Sequence, residues 1–253
     1  MNRALLIKIV LGLTALIALA VHAQAQTAIP GINISLGRSD SPQDVATSLQ
    51  IIILLTILTL APAILIMTTS FTRIIIVLAF IRQALGTQQT PPNQILLGMA
   101  LFLTFFVMEP VWSEVYNNAF TPFLDNRVSQ SEALERSAKP MKEFMQQFVR
   151  EKDLALFIRI ARIPRPRSID EVPFHVIVPA FIISELKSAF QIGFLIYVPF
   201  LVVDLVVASV LMSMGMMMLP PIMISLPLKL MLFVLVDGWN LIVGSLVESF
   251  FVR

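Results

Sequence analysis

Val176 to Leu219 holds only Glu185, Lys187 and Asp204 as charged residues and Ile222 to Val247 only Lys229 and Asp237, and of these Asp204, Lys229 and Asp237 are the candidates for function. An ionised group at the centre of a bilayer costs on the order of 2.5–3.5 kcal/mol, so such residues face protein or water and point to function. Two aspartates of this kind invite comparison with aspartyl proteases, in which two carboxyls share a proton. Asp237 lies in "LVDGW", however, and no Gly-x-Gly-Asp context occurs. Nor is there a Gly-x-Ser-x-Gly, a His-Glu-x-x-His or a glycine-rich phosphate loop. Cysteine is absent, and His22 and His175 are the only histidines. Disulfides, thiolate metal sites, cysteine nucleophiles and histidine triads are thereby removed. No catalytic residue, metal or cofactor is expected. What remains is electrostatic. Asp204 and Lys229 fit an ion pair across a helical hairpin, either as a clamp or as functional charges, and Asp237 is a further buried charge.

A turn midway between Asp204 and Lys229 falls at Met216-Met217, inside "MSMGMMMLPP" (Met212 to Pro221). Seven of the 13 methionines lie between Met212 and Met231, so the bias is local. Gly215 before Met216, Met217 and Met218, and Pro220-Pro221 after them, predict a loop rather than a continuous helix. Methionine is apolar and unbranched and fills irregular gaps. Core packing and an adaptable lining both satisfy that chemistry, and the residues alone leave both open.

The elements that must position these groups are helical and apolar. Hydrophobic residues make up 57% of the chain and charged residues 13%, about half the roughly 25% of soluble domains, which reads as an integral membrane protein. A net charge of +2, without arginine-rich or aromatic-interleaved stretches, does not suggest nucleic acid. Residues 1–25 read as a cleavable signal peptide: Arg3 and Lys8, an apolar "IVLGLTALIALAV" (Ile9 to Val21), then "AQA" (Ala23 to Ala25). Cleavage after Ala25 would remove His22 and leave the mature N-terminus in the periplasm. Residues 26–48 form a periplasmic lead-in, ending in a possible helix cap at "SPQD" (Ser41 to Asp44).

A first apolar hairpin is expected over 49–108. Leu49 to Thr72 carries no charge, spans about 36 Å as a helix and should kink at Pro62. Arg73 and Arg82 follow with no acid between Asp44 and Glu109, which places this pair toward the cytosol. Ile95 to Met108 is short for a span and must extend into its flanks or be buried in protein. Residues 109–171 form a polar helical periplasmic region with ten basic and ten acidic side chains. Its amphipathic helix presents Met141, Phe144, Met145 and Phe148 and should break at Pro140. A second apolar hairpin fills 172–253. Val176 to Leu219 is too long for one span and reads as a broken pair kinked at Pro179 and Pro199, and Ile222 to Val247 follows the methionine loop. The fold class is therefore all-α: kinked hairpins of about four apolar segments with a helical polar insert.

Two blocks carry a resemblance. "TLAPAILIMTTSFTRIIIVLAFIRQALGTQQTPPNQILLGMALFLTFFVM" (Thr59 to Met108) and "PFLVVDLVVASVLMSMGMMMLPPIMISLPLKLMLFVLVDGW" (Pro199 to Trp239) closely resemble the FliP family of type III export-gate proteins. The signal peptide and lead-in favour its flagellar branch over the injectisome branch. The resemblance implies an oligomeric pore: a pentamer assembled with FliQ and FliR, neighbouring FlhA and FlhB, sitting largely above the membrane plane and conducting unfolded export substrates. It further implies that Met216, Met217 and Met218 line the pore constriction. A thioether ring would exclude water and ions when empty and yield to an irregular polypeptide. A small-solute channel or secondary transporter would instead need a defined midplane site, and a non-conducting assembly scaffold is the third possibility.

Overall fold

The computed structural model describes residues 42–251 apart from 88, 165 and 217, and of 42–47 only the backbone. The expected signal peptide, most of the lead-in and Met217 lie outside the described residues. The chain divides into two units at Ile57/Leu58, and the first is described only from residue 42. Helix α1 (Pro42–Thr68) crosses that boundary. It is followed by α2 (Phe71–Ala84) and α3 (Asn93–Val115), then a π-helical turn (Tyr116–Phe120) leading into α4 (Thr121–Leu124). Next come α5 (Gln130–Phe148), α6 (Glu151–Ala161), α7 (Phe174–Ser213), α8 (Ile222–Leu235) and α9 (Gly238–Glu248). Among the described residues there is no strand.

The core of the second unit forms where α2 lies against α7. Phe71, Ile74, Val77, Leu78, Ile81 and Ala84 recur at helical spacing on one face of α2, and all are buried. Opposite them α7 presents Ile177, Ala180, Phe181, Ala189 and Gly193. Gly193 is required by close approach: a Cβ there would stand 2.5 Å from the Phe80 ring. The polar helix α5 begins at a serine N-cap, with Ser129 Oγ accepting from the Glu132 amide at 3.3 Å. Its apolar face docks as expected, with Phe144 and Met145 buried and Met141 and Phe148 packed beside them.

Several expected breaks do not occur. The expected pair over Val176 to Leu219 is one helix, α7, of 40 residues, running through Pro179 and Pro199 over about 60 Å. Pro140 likewise lies inside α5. A helical proline forfeits one hydrogen bond and strains one turn, a cost the helices bear at all three positions, with Pro140 buried and Pro199 exposed. α3 begins at Asn93 and helical structure continues to Leu124, past Met108, giving the short apolar segment the length it needed. The last apolar segment does break, α8 and α9 meeting at a 65° bend. By length and composition three described helical stretches suffice to cross a membrane, or four if that bent pair counts as one span.

Candidate functional site

The loop between α7 and α8 is built by its end residues. Gly215 takes φ +76°, its amide donates to Met212 O at 3.1 Å, and the Met216 amide donates to Leu211 O at 3.0 Å. These two bonds are a Schellman termination, which needs a left-handed residue at the glycine position. On the far side Pro220 and Pro221 start α8, their carbonyls accepting from the amides of Met223, Ile224 and Ser225. Between these anchors Met218 is 98% exposed and Met216 39%. Met212, Met214 and Met223 are exposed around them, so the described methionines of this loop form a surface cluster, not a core.

An ion pair closes the hairpin behind the loop. Lys229 Nζ on α8 donates to Asp204 Oδ2 on α7 at 2.6 Å and to Ala84 O at 3.3 Å. Ala84 ends α2, where a carbonyl lacking a helical partner and the negative end of the helix dipole both favour a cation. Lys229 is buried, whereas the Asp204 side chain is 37% exposed. The second Asp204 oxygen, Oδ1, is shielded and unpartnered. Asp237, expected to be buried, is exposed in the single chain. It occupies the turn at the α8–α9 bend with φ +50° and accepts from Asn240 Nδ2 at 3.1 Å, so its carboxylate turns away from the core.

A second pair fixes the base of the structure. Arg73 grips Glu185 with two nitrogens, Nε to Oε2 at 2.9 Å and Nη2 to Oε1, and both residues are buried. Arg73 Nη1 also donates to Ser249 Oγ at 3.2 Å, and the guanidinium lies 4.0 Å from the centre of the Phe250 ring. Phe148 stands on it at 5.1 Å. A planar fork can make all of these contacts at once, which an ammonium cannot. Arg73, expected as a cytosol-side charge, thus holds α2, α5, α7 and the chain's last described turn together. Arg82, its expected companion, is half-buried and donates to Asn93 Oδ1 at 2.6 Å and Pro91 O at 3.3 Å.

One residue along α7, Ser184 accepts from the Arg150 amide at 3.0 Å and donates to Asp153 Oδ2 at 2.7 Å, while Arg150 Nη2 donates to the same oxygen at 2.6 Å. Partial burial pushes the Asp153 carboxyl up. The hydrogen bonds from Ser184 and Arg150, with the positive charges of Arg150 and Lys187, outweigh that and hold it below its ordinary 3.8. This knot fixes the elbow between α5 and α6 onto α7. Glu185 and Ser184 were the residues that sequence reasoning left without a role. Glu185 was visible as the first acid of an apolar stretch, but its partner is 112 positions away.

The arrangement defines a helical membrane-type protein whose buried polar groups pin helices together and whose α7–α8 loop carries a cluster of exposed methionines, among many other bare apolar side chains on its helices. Residues 54–246 match the FliP family, and the chain belongs to that family. It is 57% identical over 217 residues to the flagellar biosynthetic protein FliP of Bacillus subtilis, covering 86% of this chain and 98% of that protein. The corresponding protein of Pectobacterium carotovorum is also 57% identical, over 88% of this chain and 86% of its own length. That of Caulobacter vibrioides is 53% identical over 95% of this chain and 90% of its own.

Proposed function

We propose that this chain is a subunit of the flagellar type III protein-export gate, a non-enzymatic inner-membrane component that passes unfolded flagellar proteins. Copies of it, a pentamer on the family pattern, join FliQ and FliR around a pore, with FlhA and FlhB as neighbours. Residues 109–171 stand on the periplasmic side. Met216, Met217 and Met218 form the constriction, and the Asp204–Lys229 pair braces the hairpin that carries them.

The observation that carries this reading is the methionine loop: apolar side chains standing free at the tip of a hairpin whose two ends are both fixed. Exposed apolar clusters mark contact surfaces, and a loop with rigid ends and soft side chains suits a seal. Thioethers shift rotamers at little cost, where branched side chains are held at χ1.

The test replaces Met216, Met217 and Met218 together with alanine in cells carrying the complete gate. The complex should assemble and leak ions and small molecules while idle. An assembled complex with no leak would leave a scaffold, and loss of one specific solute flux would indicate a transporter.

A further inference from the structure

The cations of the apolar helices are not treated alike. Arg73 and Lys229 each have a buried or half-buried carboxylate partner, but Arg82 has none among the described residues. Its guanidinium carries five donors, and the acceptors it meets, Asn93 Oδ1 and Pro91 O, are both neutral and share Nη1. The sequence offers no acid between Asp44 and Glu109 to neutralise it locally. Its other donors stay open to whatever fills the space beside them, and a charge-assisted bond to an anion is stronger than one to a neutral acceptor.

Beside Arg82 runs an open groove of about 450 Å³ between α2 and α3. Ala79 and Ile75, one and two turns back along the same face of α2, form one wall, and Leu96 and Leu97 form the other. Arg82, Asn93 and Gln94 close the end nearest the α2–α3 turn. One end is thus cationic and rich in amide donors, and the remainder is aliphatic. This polarity matches an amphiphile with a single negative head and a hydrocarbon tail. A free anion would leave the trough empty, and an uncharged chain would leave Arg82 unpaired. Basic pockets between membrane helices bind anionic lipid headgroups for the same reason.

We propose that the α2–α3 groove is a site for an anionic phospholipid, its phosphodiester held by Arg82 with Asn93 and Gln94 and one acyl chain lying along Ile75, Ala79, Leu96 and Leu97. No carboxylate among the described residues pairs with Arg82; Glu185 and Asp204 are taken by Arg73 and Lys229, and the aliphatic trough beside it suits a lipid drawn from the bilayer.

The experiment uses the purified export-gate complex in nanodiscs of phosphatidylglycerol or phosphatidylcholine, with retained lipid counted by native mass spectrometry. Three variants are compared. Arg82→Gln removes the charge, whereas Ala79→Phe and Leu97→Trp fill the trough from opposite walls and leave Arg82 and its bonds in place. Wild type should retain phosphatidylglycerol over phosphatidylcholine, with Arg82→Gln weakening retention about fivefold, the value of one headgroup–arginine contact. Either trough-filling variant should lose the bound lipid in assembled complexes, and millimolar inorganic phosphate should not displace it from wild type. The proposal is overturned if assembled variants keep as much phosphatidylglycerol as wild type, or if the two lipids are retained equally. It is equally overturned if a cross-linker on Leu97→Cys captures a neighbouring chain in the groove.

Discussion

Replacing Asp204 with alanine is expected to cost far more than replacing Lys229 with methionine, although both substitutions break the same 2.6 Å contact. The asymmetry comes from burial. Lys229 is 3% exposed, so in Asp204→Ala its ammonium keeps only the Ala84 carbonyl at 3.3 Å. A buried charge deprived of its partner costs about 3–5 kcal/mol. In Lys229→Met the stranded group is a carboxylate on a side chain that is 37% exposed. Although Oδ1 is shielded, water reaches the rest of the side chain and methionine refills the alkyl volume, so the loss is about 1–2 kcal/mol. The double variant Asp204→Ala/Lys229→Met removes both charges and should return to within about 1 kcal/mol of Lys229→Met alone. At roughly 2–4 °C per kcal/mol for a chain of this size, Asp204→Ala should lower the unfolding midpoint by about 10 °C and Lys229→Met by only a few degrees. The assay is thermal unfolding of the detergent-solubilised protein, with the assembled fraction measured alongside. The reasoning fails if Lys229→Met melts at or below Asp204→Ala, or if the double variant is as unstable as Asp204→Ala.

Two further outcomes follow from the base of the structure. Arg73→Lys keeps the charge but loses the two-pronged grip on Glu185 and the stacking on Phe250, so it should be destabilised by about 1–3 kcal/mol, seen as a lowered melting point and as proteolysis near the C-terminus. Asp153 binds its proton less readily folded than unfolded, so the unfolded chain takes up more protons. Its contribution is full above 3.8 and is lost as pH falls below that value. Asp153→Asn should therefore destabilise the protein at neutral pH and narrow the gap to wild type in melting scans carried down through pH 4 toward 2.

Apolar run lengths and one piece of hairpin arithmetic made much of the architecture legible. Asp204 and Lys229 are near-equidistant from the methionine run, and the structure sets them in contact. Arg73 and Glu185 gave no such hint, because nothing local links residues on α2 and α7. Breaks misled for a related reason. Pro179 and Pro199 look like terminators, yet α7 passes both, since a helical proline forfeits one hydrogen bond and strains one turn without having to end the helix. Three breaks that no expectation named fall at Thr69-Ser70, Val149-Arg150 and Val236-Asp237, none of which itself holds a proline or glycine. At Val149-Arg150 the helix stops where Ser184, from another helix, takes up the freed amide. Such a signal exists only in three dimensions. The methionine loop was legible as a loop from Gly215 and the two prolines, but its exposure was not, since composition says nothing about which side chains neighbours cover.

The length of α7 has a consequence for how such a subunit lives in the cell. A rod of about 60 Å is twice the roughly 30 Å of bilayer hydrocarbon, and it is apolar along most of its extent. Even at a tilt of about 40°, lipid can solvate only about two-thirds of it. The rest needs a protein sheath, which one chain does not supply, since Phe194, Leu195, Leu205 and Val206 all lie bare. On the proposed assembly, a newly made copy would carry this bare length until sister subunits cover it.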